Sequence, residues 1–157
     1  MARSPSRDSA PLASWTALVD VYQSVLHYVV GALERDAAMD SGVFSVLALL
    51  ARAQPPHRAP LADLQRAMYP RYSQPGLSRL VQRMEADGLV TREADPADGR
   101  ASVVVTTRHG RRRHDEANAV YRAVLRRSFG RHLSGDEHAA LTALLDSVTA
   151  RRTDSVL

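Results

Sequence analysis

Leu77, Leu80, Val81 and Met84 recur at the i, i+3, i+4, i+7 spacing that gathers side chains onto one face of a helix. Ser73 precedes them as a cap, and Pro75 is tolerated because first-turn amides have no intrahelical partner. Gly88 is placed to end the helix in a left-handed conformation. Directly after it come two β-prone runs, Leu89–Glu93 and Ser102–Thr106, which flank the turn-rich tip Ala94-Asp95-Pro96-Ala97-Asp98-Gly99-Arg100. The pattern predicts a helix that runs straight into a β-hairpin, and any fold for this chain must accommodate that junction.

The flanking sequence is helical. After Ser14, read as a cap, the residues Trp15, Leu18, Val19, Tyr22, Val25, Leu26, Val29 and Leu33 step by three and four along about five turns. Residues 1–13 read as a disordered arm. Ser41 is read as the cap of a second helix carrying Phe44, Leu47, Leu50 and Ala51, which Pro55-Pro56 ends. A short third helix holds Leu61, Leu64 and Met68, and Tyr69-Pro70-Arg71-Tyr72 breaks it. Thr107 can cap a fifth helix with Val120, Tyr121, Val124 and Leu125 on one face. Ser134 and Glu137 have capping-box spacing ahead of a sixth, with Leu141, Leu144, Leu145 and Val148. The terminal stripes exceed what one small lobe can cover, so the chain is expected to pair with a second copy.

On the fourth helix, the side opposite the apolar stripe carries Arg79 and Gln82, with Ser78 and Arg83 beside them. Arg can make two hydrogen bonds to guanine O6 and N7, and Gln two to adenine N6 and N7. Ser73 and Gln74 stand at the positive end of the helix, where a phosphate oxygen is favoured. In the hairpin, Arg100 suits a narrow minor groove, with Asp98 to orient it and Arg92 on the opposing strand to assist. Exposed Arg and Gln are ordinary on any one helix. The conjunction of short helix, tight connection, polar-faced helix and basic hairpin points to double-stranded DNA.

Charge agrees with that placement. The chain carries +4 overall, and residues 58–113 alone carry +5. A positive middle third between neutral flanks suits a phosphate-facing module. All 21 basic side chains are Arg, which carries no functional weight by itself. The absence of cysteine excludes disulfides, thiolate metal sites and thiol redox sensing. No apolar run approaches the ~20 residues of a membrane span, and residues 1–11 lack the apolar core of a secretory signal. A cytoplasmic location is expected. His27, His57, His109, His114, His132 and His138 make no HxxxH spacing, and His114-Asp115-Glu116 reads as solvated helix surface, so no metal is expected. Neither a Gly-rich phosphate loop nor a GxSxG elbow is present, which leaves an enzyme with little support. No cofactor is expected.

The stretch from Ser73 through Val90 resembles the recognition helix of the MarR family of regulators. Asp95-Pro96-Ala97-Asp98-Gly99-Arg100, followed by Thr106-Thr107-Arg108-His109-Gly110, is similar to that family's wing and the start of its next helix. The resemblance implies a mainly α fold with a small β-hairpin wing, a winged helix-turn-helix with long N- and C-terminal dimerisation helices. On this reading 14–157 is a single domain, with the lobe at 41–106 and dimerisation helices at 14–38 and 107–150. It further implies a homodimer on a pseudo-palindromic site, and repression relieved by a small anionic or aromatic ligand. Trp15, Tyr22, His27 and Arg35 would line the effector cleft, although Trp15 and Tyr22 also fit a core. Two departures stand out: a connection before Ser73 about two residues longer than usual, and Gly99 where a second basic residue is common. The alternative is a winged helix that binds protein rather than DNA, which the salt dependence of binding separates from the first reading.

Overall fold

The computed structural model describes residues 9–94 and 102–154. Asp98 and Arg100 lie outside them, as does most of the expected N-terminal arm. The helix α1 spans Ser9–Ala37 and so starts five residues before the expected point. Ser14 is therefore helical and caps nothing. Pro11 falls in the first turn, where a missing amide costs no hydrogen bond, so it does not delay the helix.

The helix α2 spans Ser41–Arg52, and its cap is Asp40 rather than Ser41. Asp40 Oδ1 accepts from the Gly42 N–H at 2.8 Å and the Val43 N–H at 3.1 Å. A carboxylate at this position also favours the positive helix end. A three-residue strand follows, β1 (Arg58–Pro60), then α3 (Leu61–Met68) and α4 (Gln74–Ala86). The hairpin is β2 (Val90–Ala94) and β3 (Ser102–Thr106), and α5 (Arg108–Ser128) and α6 (Gly135–Asp154) complete the chain. The sheet is antiparallel in the order β1-β3-β2, with Ala59 and Arg92 both opposite Val104.

The chain divides into two compact units. One is residues 26–122, the other residues 1–25 with 123–157, and α1 and α5 are divided between them. The first unit holds nearly all of the core: Val46, Leu47 and Leu50 of α2, Leu64 of α3, Leu77, Leu80, Val81 and Met84 of α4, and Val90 and Val104 of the sheet are almost fully buried. Burying one such side chain is worth about 1.5–3 kcal/mol. His114 also belongs here, stacked on Phe44 at 5.8 Å between ring centroids rather than solvated, with Tyr121 5.1 Å from the same ring. With α5 against α2, the imidazole finds a ring partner in Phe44 that the local sequence does not disclose.

In the second unit Ser134 and Glu137 form the expected capping box. Glu137 Oε2 accepts from the Ser134 N–H at 2.8 Å, and Ser134 Oγ accepts from the Glu137 N–H at 3.3 Å. Most of the apolar side chains of this unit are uncovered: Trp15 is 64% exposed, Tyr22 60%, Leu144 66% and Val148 62%.

Candidate nucleic-acid interface

The helix α4 is fixed at both ends and along its inner face. At its start, Ser73 Oγ accepts from the Gly76 N–H at 3.2 Å, leaving the hydroxyl proton free to donate outward. At its end, Gly88 takes φ +67°, with Gly88 N–H donating to Glu85 C=O at 3.0 Å and Leu89 N–H to Met84 C=O at 2.9 Å. This is the paired closure of a Schellman motif, and it aims the chain into β2. Leu77, Leu80, Val81 and Met84 are fully buried, so the helix cannot rotate without exposing four core side chains.

The junction with α5 locks the base of the hairpin. Thr107 Oγ1 donates to Gly88 C=O at 2.7 Å and lies 3.1 Å from Leu89 C=O. The same oxygen accepts from the Gly110 N–H at 2.9 Å, capping α5. Gly110 itself is required by close approach: a Cβ there would stand 2.0 Å from the Leu89 carbonyl oxygen.

Outward, α4 exposes Gln74, Arg79, Gln82 and Arg83, and the cap residue Ser73 is exposed too. Gly76, Arg79, Gln82, Arg83 and Ala86 line a shallow open depression on this side. Its small residues, Gly76 and Ala86, leave room for a ligand to approach the helix, and the guanidinium and amide groups rise between them. Ser78 is half-buried at the flank. The structure thus brings Arg79, Gln82 and Arg83 onto one accessible surface, with Ser78 at the flank, while Ser73 and Gln74 are exposed at the helix start.

Arg92 is placed differently from the expectation that it assists the wing. It is paired with Val104, and side chains directly opposite in a ladder share a face, so Arg92 points inward. Its Nη2 donates to the Ser78 carbonyl at 3.1 Å, its Nε lies 3.6 Å from Glu85 Oε2, and its backbone N–H donates to Glu85 Oε1 at 3.1 Å. The side chain is 23% exposed. Period-two counting from the buried Val90 would have found this orientation; nothing in the sequence named Glu85 as the partner.

The connection before α4 is held by its own residues. Arg71 Nη2 donates to Ser41 Oγ at 2.6 Å, and Tyr72 N–H donates to Met68 C=O at 3.0 Å. Tyr72 also packs on Gly42, where a Cβ would meet its hydroxyl at 2.0 Å. The longer turn therefore docks on the start of α2 instead of loosening α4.

The four residues expected in an effector cleft are all exposed. Trp15 and Tyr22 belong to one compact unit and share a side of α1, whereas His27 and Arg35 belong to the other unit. No group of three or more metal-ligating side chains occurs among the described residues.

Residues 39–101 match the model of the MarR family. The likeness to that family's model is thus confined to the winged-helix lobe. The match spans α2, α3, α4 and β2, the segment that carries the exposed Arg and Gln side chains. No curated protein matches the chain significantly. Among solved structures, AbsC, a MarR family transcriptional regulator from Streptomyces coelicolor, is similar at 22% identity and TM-score 0.78, over 98% of this chain and 99% of that one. Sco3205, a MarR family regulator from the same organism in complex with DNA, is similar at 21% identity and TM-score 0.76, over 95% and 90%. BpsR of Bordetella bronchiseptica, whose DNA binding is regulated by 6-hydroxynicotinic acid, is similar at 23% and 0.71, over 93% and 98%. At these identities the likeness establishes the MarR fold, mostly helical with a small three-stranded antiparallel sheet.

Proposed function

We propose that this protein is a sequence-specific double-stranded DNA-binding transcriptional regulator. It acts as a homodimer on a pseudo-palindromic site, as a repressor relieved by a small anionic or aromatic ligand. The observation that carries the reading is the division of α4: four fully buried apolar side chains on one side, and exposed Arg79, Gln82 and Arg83 on the other. Arg and Gln there have the donor and acceptor geometry for base edges, and Ser73 and Gln74 suit the phosphate beside the helix start.

The DNA-bound relative supports the partner, and the one regulated by 6-hydroxynicotinic acid supports ligand control. The exposed apolar side chains of residues 1–25 and 123–157 support pairing of two copies. Catalysis has no part in this reading. No helix among the described residues is long and apolar enough to cross a membrane. The proposed DNA partner places the protein in the cytoplasm.

Selection of bound duplexes from a random pool tests the reading. A palindromic consensus is expected, with half-site centres one helical turn apart, ~34 Å. Binding to it should fall steeply with added salt as counterions are released. A pool that shows no enrichment at low salt would end the DNA reading. Binding that resists salt and needs a protein partner would favour the interaction-module alternative.

A further inference from the structure

We propose that Arg92 and Glu85 act as a clamp that sets the angle between the wing and the reading helix, and so the register between their two contacts on one duplex. The inference rests on the DNA-binding reading and adds a positioning role for two residues that bind each other.

The contacts are two-sided. Glu85 holds Arg92 by its backbone N–H and faces its Nε, while the far end of the same guanidinium reaches the Ser78 carbonyl. Ser78 and Glu85 are seven residues apart, about 10.5 Å along a helix axis. A single contact between strand and helix is a pivot. Two contacts, at different nitrogens of one guanidinium and on different turns of α4, also oppose rotation. Ser78, Gln82 and Glu85 lie within roughly 60° of one another around α4, so the clamp grips the edge from which Gln82 projects.

Stability alone is a poor account of the arrangement. Arg92 Nε is enclosed and makes no hydrogen bond, although its charge faces Glu85 at 3.6 Å. A part-buried ion pair of this kind is often matched or bettered by apolar residues of similar volume. Opposite the fully buried Val104, an apolar side chain would have served packing equally well. What the guanidinium adds is direction, because its planar fork bonds at fixed angles. Its charge is also already met by a carboxylate, which distinguishes it from the exposed Arg79 and Arg83.

The test uses the full chain with Arg92→Met, Arg92→Lys and Glu85→Gln, measured on the selected duplex and on random duplex across a salt series. Each variant should lose roughly tenfold in the ratio of selected to random binding, the scale of one misplaced base contact. Random-duplex affinity and the salt slope of Arg92→Met should match the parent, and protection flanking the half-sites should blur in footprints. Lysine should fail to rescue, because one ammonium cannot span the Ser78 carbonyl and Glu85. Parental discrimination in Arg92→Lys, with a salt slope reduced by about one in Arg92→Met, would make Arg92 a phosphate contact and overturn the proposal. Parental discrimination in all folded variants would overturn it too. If Arg92→Met does not fold, the lysine and glutamine variants decide alone. A parent that selects no duplex would instead sink the functional reading.

Discussion

Arg79 projects from the middle of the exposed side of α4, with no hydrogen bond or ion pair recorded to any described residue. Its fork is therefore free for a base. Arg79→Ala should lose about 1–3 kcal/mol of binding to the selected duplex and relax discrimination at one position, measured by titration against single-base variants. Equal binding by variant and parent would remove that role. A second residue-scale expectation concerns Thr106, which is buried and whose hydroxyl has no partner among the described residues. An unsatisfied buried hydroxyl costs about 1–3 kcal/mol, and valine has nearly the same shape. Thr106→Val should raise the melting temperature, and a lower one would reveal a partner for the hydroxyl. The directions of Leu77, Arg79, Gln82 and Arg83 were legible in the sequence because helical periodicity is a local property. The partners of Arg92 were not legible, because they sit on another element, seven and fourteen residues away.

At the scale of elements, caps and closures were readable where a side chain acts on its own backbone. Thr107, Ser73 and the Ser134–Glu137 box stand as the sequence implied. Asp40 displaced Ser41 because both can cap, and only the approach of the chain to α2 selects between them. The strand β1 was missed, since three residues ending in proline carry no strand pattern of their own. Its one trace was the unbroken Val103-Val104-Val105, an apolar run suited to a strand paired on both sides. Gly110→Ala tests the tightest junction. Its Cβ would press on the Leu89 carbonyl, which is backbone and cannot swing aside, so a loss of about 1–3 kcal/mol is expected in thermal or urea melts. The α6 cap gives a pH dependence. The Ser134 backbone N–H, and then its hydroxyl, hold the Glu137 carboxyl below its ordinary value of 4.5. A lowered folded value means the contribution is complete above about pH 4.5 and is lost as pH falls through the folded value. Fraying of the first turn of α6 on acidification, absent in Glu137→Gln, is the expected signal by NMR.

For the whole molecule, the exposed Trp15, Tyr22, Leu144 and Val148 set the main expectation. Burial of these side chains against a second copy would gain roughly 1.5–3 kcal/mol each. Leu144→Asp with Val148→Asp should shift the sedimenting species from dimer to monomer and weaken palindrome binding more than half-site binding. A parent that sediments as a monomer at micromolar concentration would contradict the pairing.

By itself the sequence determined the order of the helices, the inner and outer sides of α4, the hairpin and most caps. Each of these follows from steric and hydrogen-bonding preferences acting over a few residues. The tertiary structure alone decided the β1–β3 pairing, the stacking of His114 on Phe44, the seating of Tyr72 on Gly42 and the choice of Glu85 and Ser78 as the partners of Arg92. Those depend on which distant segments meet when the core closes, and no local period along the chain encodes that choice.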